Sequence, residues 1–332
     1  MAIWTIFNHK ISFQSCLHDC SPKACDSALP FSLRITMWTC QDDCAYQCSH
    51  SVTDAAQARI IAQHGATAVR IEQFYGKWAF WRFLGMQEPA SVLFSLMNLQ
   101  AHVKGFFLLR RRVAQSHPMI PYYLTWSICS INAWIWSAVF HTRDKPFTEK
   151  LDYFSAGLSI LFGLYLAVIR LFHLYSDSQH PSVLKALIRH TWSILCTISY
   201  LSHVSYLTFA TRFDYGYNIL ANVVVGMTHN VLWILFAIPA TPFTRYPASR
   251  HPAESLVRNP HQRSRRWVTR PLWCVLLTTL ATMLELFDFP PWYRVIDAHS
   301  LWHLATAFII PLWYDFLVED SLDEGWAWHK LQ

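Results

Sequence analysis

Of 332 residues, 53% are hydrophobic and only 14% are charged, against about 25% charged in an ordinary soluble domain. That deficit argues against a water-soluble enzyme and for a membrane protein, provided the apolar residues gather into spans of about 20. The net charge of +6 includes no basic run interleaved with stacking aromatics in a soluble stretch, so no nucleic-acid partner is expected.

Residues 1–15 open the chain with Met1-Ala2-Ile3-Trp4-Thr5-Ile6-Phe7, followed at once by Asn8-His9-Lys10. This is shorter than the apolar core of about 7–15 residues that a secretory leader needs. The expectation is therefore a leader missing from the start of the chain. Six of the nine cysteines follow within the first 48 residues: Cys16, Cys20, Cys25, Cys40, Cys44 and Cys48. The C-x3-C-x3-C run from Cys40 to Cys48 lacks the two-residue gap usual in zinc knuckles. Disulfides are the better reading, and they place this region in an oxidising lumen. Cys129, Cys196 and Cys274 are isolated in apolar segments and read as packing residues.

Residues 1–88 are thus expected to form a small Cys-rich lumenal domain, with Pro22, Pro30 and short polar runs marking loops and turns. One short helix is expected between Asp54 and Val69. The aromatic segment Phe74–Phe83 suits either a lipid headgroup boundary or a small aromatic core.

Seven apolar segments follow, near 90–109, 120–140, 153–173, 187–209, 217–239, 271–288 and 298–317. Each is about 20 residues, the length of a spanning helix and twice that of a barrel strand. The fold class expected is an all-α membrane protein. It is a seven-transmembrane helix bundle (residues 89–318) with a disulfide-rich lumenal N-terminal domain and a short acidic tail (319–332). The Lys/Arg-rich connections begin at Arg110-Arg111-Arg112, flank Lys185 and Arg189, and run from Arg245 to Arg270. Such connections face the cytosol, which places the N-terminus in the lumen and the C-terminus in the cytosol. The cysteines independently point to the same side.

That topology selects residues. The end of the second span carries Ser137 and His141, the start of the third carries Asp152, and the start of the seventh carries His299 and His303, all at one membrane face. His299 and His303 stand one helical turn apart, a spacing at which one helix offers two imidazoles to a metal. Three neutral imidazoles would leave a fourth position on Zn²⁺ for water, the pattern of a catalytic rather than a structural zinc. Asp152 can take a proton from that water or orient a ligand imidazole, and Ser137 can donate to a developing oxyanion. A Ser-His-Asp triad is a competing use of the same atoms, and it leaves His299 and His303 without a task. Blander readings also exist. Asp297 reads as the N-cap of the last span, and Asp152 can be read as an N-cap of the third. His102, His190, His203 and His229 read as interhelical hydrogen-bonders. Arg212 and Asp214 read as a pair within one loop, and Glu285 and Asp288 as braces for the histidines or ligands for a cation.

Several strings resemble the post-GPI attachment to proteins factor 3 family. They include Cys40-x3-Cys44-x3-Cys48, Gly76-Lys77-Trp78, Gln87-Glu88-Pro89-Ala90-Ser91 and Asn132-Ala133-Trp134. Phe140-His141-Thr142-Arg143-Asp144, Arg212 to Asn218, Asp288-Phe289-Pro290-Pro291 and Asp297-Ala298-His299 extend the likeness from about residue 16 to 320. The resemblance implies a seven-span protein of the endoplasmic reticulum or Golgi membrane that remodels GPI-anchor lipid. It would act as a phospholipase A2-like factor on the sn-2 acyl chain, with GPI-anchored proteins and membrane lipids as partners. It also implies membership of a hydrolase superfamily shared with the alkaline ceramidases. Ser137, His141, Asp152, His299 and His303 match that superfamily's pattern, with zinc on the three histidines. An amidase of the ceramidase kind and a non-catalytic receptor or cargo factor are the alternatives.

Overall fold

A computed structural model describes residues 11–20, 28–64, 73–74, 76–176, 181–238, 266–287, 289–323 and 326. Residues 11–20 form helix α1, followed by α2 (Phe31–Ile35), α3 (Cys40–His64), α4 (Pro89–Arg112) and α5 (Ile120–Thr142). Then come α6 (Pro146–Leu171), α7 (Val183–Phe209), α8 (Tyr215–Ala237), α9 (Arg270–Phe287) and α10 (Ala298–Ser321). Among the described residues there is no strand, only isolated bridges such as Phe74 to Lys77 and Trp292 to Ile296.

Helices α4 to α10 overlie the seven apolar segments, with most ends within four residues of those expected. The local reasons are legible. Pro89 and Pro146 occupy first helical positions, where a missing N–H costs nothing. The start at Pro146 puts Asp152 in the second turn of α6, so the N-cap reading of Asp152 is wrong. Asp214 caps α8 by accepting from the Tyr217 N–H at 2.9 Å, and its second oxygen accepts from the Tyr206 hydroxyl at 2.9 Å. Its carboxylate is thus occupied by the cap and not, as expected, by Arg212. Among the described residues, four helices are by length and composition apolar enough to cross a membrane: α4, α6, α8 and α10.

The chain divides into two compact units. The first comprises 1–94, 138–145 and 284–302, and the second 95–137, 146–283 and 303–332. The boundary passes through α4, α5, α9 and α10, which run unbroken across it.

In the first unit, disulfides join Cys16 to Cys48 and Cys20 to Cys44. Each helix contributes two cysteines one turn apart, and the pairing runs in opposite directions, so α1 and α3 are stapled antiparallel. Phe13, Cys48 and Val52 form the core of this pair, with Phe74 against it. The helix expected between Asp54 and Val69 is present as far as His64, the positions beyond lying outside the described residues. It begins at Cys40, where loops were expected, because C-x3-C-x3-C is itself a helical spacing. Trp38 donates its indole N–H to the Gly85 carbonyl at 2.8 Å, and Asp42 pairs with Arg143 at 2.6 Å and Lys145 at 3.1 Å. Arg82 is bonded to Asp43. Arg294 donates to Asp54 at 2.5 Å and to Gln57 at 2.8 Å, and it meets His50 Nδ1 at 3.0 Å. The aromatic segment divides: Phe80 is buried, whereas Trp81 and Phe83 are exposed.

The second unit holds the larger core, around Tyr123, Ile169, Trp233, Phe236, Tyr314 and Phe316. Gly105 lets α4 meet α10, since a Cβ there would stand 2.3 Å from the Tyr314 ring. Arg170 and Asp320, both 0% exposed, form a two-pronged ion pair at 2.6 and 2.8 Å. His102 bonds the Tyr314 hydroxyl at 2.9 Å and His203 bonds the Tyr217 hydroxyl at 3.4 Å, both between helices as expected. His229 differs, bonding Asn230 and Trp233 of its own helix.

Candidate metal centre

Helix α10 opens with a reciprocal cap. The Ser300 N–H donates to Asp297 Oδ1 at 2.8 Å, and the Asp297 N–H donates to Ser300 Oγ at 3.0 Å. Asp297 is therefore the helix cap expected of it, and its neighbours His299 and His303 are held one turn apart on a helix that cannot fray there.

In the first unit, His141 near the end of α5 meets His299, with their Nε2 atoms 3.3 Å apart. The other nitrogen of His141, Nδ1, lies 2.7 Å from Glu88 Oε2. An ionised carboxylate only accepts, so His141 Nδ1 donates to Glu88, and Nε2 is the ring nitrogen that faces His299. The backbone holds the same geometry, since the Glu88 N–H donates to the His141 carbonyl and the Gln87 N–H to that of Thr142, each at 3.0 Å. Burial alone would raise the Glu88 carboxyl, but the Lys77 ammonium and the His141 imidazole outweigh it and hold the group well below the usual carboxylate range. Lys77 is in turn held above the ordinary lysine value: burial opposes its charge, and Glu88 and Asp144 more than offset that.

In the second unit, His303 Nδ1 lies 3.2 Å from Ser95 Oγ, and Ser95 Oγ lies 3.0 Å from Ser137 Oγ. Asn98 donates to the His303 carbonyl at 2.7 Å, and the Trp134 ring stands edge-on to the imidazole. Because α10 is continuous, His303 follows His299 on the same face, and one nitrogen from each of His141, His299 and His303 lies within 4.8 Å of the others.

This three-histidine cluster is compatible with a small divalent cation, and one of its separations has the spacing of bound ligands. Tetrahedral bonds of about 2.0–2.1 Å place ligand nitrogens roughly 3.3–3.4 Å apart, the separation found between His141 and His299. His141 and His303 each have the other ring nitrogen on an oxygen, the outer-shell arrangement that fixes the tautomer of metal-binding imidazoles. The donor set does not by itself choose among zinc and its neighbours.

Of the expected residues, His141, His299 and His303 come together, and Ser137 is linked to His303 through Ser95. Asp152 lies half-buried in the second turn of α6. The Asp288 position and the Glu285 side chain lie outside the described residues, as do positions 1–10, Cys25 and most of the Arg-rich connection from 245 to 270. Two contributors escape a reading of motifs. Glu88 stands in the sequence only as a member of the string Gln87-Glu88-Pro89-Ala90-Ser91, and Ser95 reads as an ordinary small residue of an apolar helix. The available signal for Glu88 was an ionisable group abutting the first residue of a spanning segment.

Fold and site together define a helical membrane protein with a disulfide-stapled N-terminal unit and three histidines poised for a metal. The chain belongs to the Per1-like family, whose model matches residues 30–321. It is 38% identical over 312 residues to "Protein PER1 homolog" of Schizosaccharomyces pombe, covering 92% of this chain and 84% of that one. It is 36% identical over 318 residues to the human and mouse proteins named "GPI-specific phospholipase A2-like PGAP3", covering 93% of this chain and 87% of theirs. No solved structure matches it.

Proposed function

We propose that this protein remodels GPI anchors by hydrolysing the sn-2 acyl ester of their lipid. The observation that carries the reading is the meeting of His141, His299 and His303 in a chain whose relatives are named GPI-specific phospholipase A2-like. His141, His299 and His303 would hold zinc, which when bound supplies a Lewis acid for the ester carbonyl and an acidified water. Glu88 keeps the His141 lone pair directed inward. Asp152 accepts the proton of the attacking water, and Ser137 donates to the oxyanion of the tetrahedral intermediate. Ser95 orients the Ser137 hydroxyl and the His303 ring together. All seven helices α4–α10 cross the membrane, with the Cys-rich unit and the site on the lumenal side of the endoplasmic reticulum or Golgi membrane. The Arg110-Arg111-Arg112 end of α4 would face the cytosol. The substrate would enter from the lumenal leaflet with its glycan and attached protein beside the N-terminal unit.

The test is purified protein on GPI lipid carrying a labelled sn-2 acyl chain, with a ceramide as the competing substrate. Parent protein releases fatty acid from the GPI lipid, whereas His141→Ala and Asp152→Ala do not. Release unchanged in both variants, or cleavage of the ceramide amide alone, overturns the proposal.

A further inference from the structure

Glu88 is 5% exposed, and its two oxygens serve different partners: Oε2 takes the His141 Nδ1–H at 2.7 Å and Oε1 takes the Lys77 ammonium at 2.5 Å. Lys77 comes from the loop before α4, where its Nζ also reaches Asp144 Oδ2 at 3.0 Å and sits 4.3 Å from the centre of the Phe140 ring. Asp144 and Phe140 flank His141 in the chain. The lysine therefore has three anchors, a carboxylate on either side and an aromatic face, and all of them belong to one compact unit.

We infer that Lys77 is a positioning residue for the metal centre, a built-in cation that keeps Glu88 as the orienting partner of His141 instead of a metal ligand. This rests on the metal reading of the three histidines. A buried carboxylate beside a divalent cation is itself a good oxygen ligand, and nothing in its charge would keep it on the imidazole. Lys77 occupies Oε1, and the geometry of a carboxylate then directs Oε2 to His141. It also offsets one of the two negative charges, the buried Glu88 and the partly exposed Asp144, that the site would otherwise place together. An ammonium is suited to this place because its three N–H donors diverge, one for each carboxylate and one toward the ring face.

The test is metal binding by the full chain in detergent micelles, read with Co²⁺ by absorption and with Zn²⁺ by competition, on folded protein only. Outer-shell partners of ligand histidines are typically worth about 10–100-fold in metal affinity. Lys77→Met is expected to weaken binding by at least tenfold and to alter the Co²⁺ spectrum as Glu88 joins the coordination. Lys77→Arg recovers most of the affinity. Lys145→Met, which removes a neighbouring lysine bonded to Asp42, leaves both readouts at parental values. The double variant Lys77→Met/Glu88→Gln removes the buried Glu88 charge together with its lysine. Asp144, which also loses the lysine, is partly open to solvent, so the double variant is available even where the single variant does not fold. It should match Glu88→Gln alone in metal affinity, because without the Glu88 charge the lysine no longer acts on His141, although it still reaches Asp144. Parental affinity and spectrum in Lys77→Met overturn the inference, as does a further tenfold loss in the double variant relative to Glu88→Gln. A parent protein that binds neither ion overturns the metal reading instead.

Discussion

Replacing Asp320 by alanine strips the counterion from a guanidinium with no access to solvent. Asp320 lies in the last turn of α10 and holds Arg170, near the end of α6, by two charge-assisted hydrogen bonds at 2.6 and 2.8 Å. It also accepts from the Tyr123 hydroxyl at 3.4 Å, and Trp326 packs over the guanidinium. Breaking a buried pair by removing one partner costs about 3–5 kcal/mol, because the stranded charge cannot be rehydrated without opening the core. At roughly 2–4 °C per kcal/mol for a chain segment of this size, the thermal midpoint in detergent should fall by about 6–20 °C. The double variant Arg170→Met/Asp320→Leu should recover most of that loss, since it leaves no charge behind. The pair is 17 residues from His303 along a continuous helix, about 25 Å at 1.5 Å per residue, so metal affinity of the folded Asp320→Ala protein should be unchanged. A midpoint within about 2 °C of the parent, or a double variant no better than the single, would refute the account of a buried, uncompensated charge.

Other consequences are as definite. His141→Ala, His299→Ala and His303→Ala should each abolish stoichiometric zinc by elemental analysis, whereas Asp152→Ala should retain zinc and lose turnover. Undiminished zinc in His299→Ala would remove that residue from the ligand set. Gly105→Ala forces a methyl group into the Tyr314 ring and should destabilise by about 1–3 kcal/mol in reversible unfolding, with the His102–Tyr314 contact disturbed. Cys44→Ser opens the Cys20–Cys44 bridge and should cost about 2–5 kcal/mol in the first unit, seen as protease sensitivity of the N-terminal region under conditions where the parent resists. His50 is held below the ordinary histidine value, first by burial and then by the nearby Arg294 and Arg82, against the opposing Phe80 carbonyl and Asp54. A depressed folded value means the unfolded chain binds the proton more readily. Stability is therefore full above about pH 6.5 and declines as pH falls below it. His50→Gln should flatten that part of a melting-versus-pH curve, and an unchanged slope would assign the acid sensitivity elsewhere.

Much of this protein is determined locally and can be read from the chain alone. Apolar segments of about 20 residues must become helices, because a backbone removed from water has to bond itself. The cap at Asp297 is legible as well, whereas the start of α6 at Pro146 and the cap at Asp214 emerge only in the folded chain. The pair His299 and His303 needs only the pitch of one helix, and His141 needs only to lie at the same depth as they do. A spacing rule applied too loosely also explains the one broad error. Cys40, Cys44 and Cys48 recur every fourth residue, which is the period of a helix, and they belong to a 25-residue helix where loops were expected.

What tertiary structure alone decides is which polar atoms meet across segments far apart in the chain. Glu88 is 53 residues from His141, and Ser95 is 208 from His303. Neither distance leaves a period in the sequence. The partner of a buried carboxylate is set by packing, since any donor at the right depth would satisfy it, and only the folded chain shows that the donor chosen is the His141 imidazole. The same holds for Lys77. In the sequence it is a cation among aromatics at an interface; in the fold it lies against Glu88, and through Glu88 it bears on the orientation of His141.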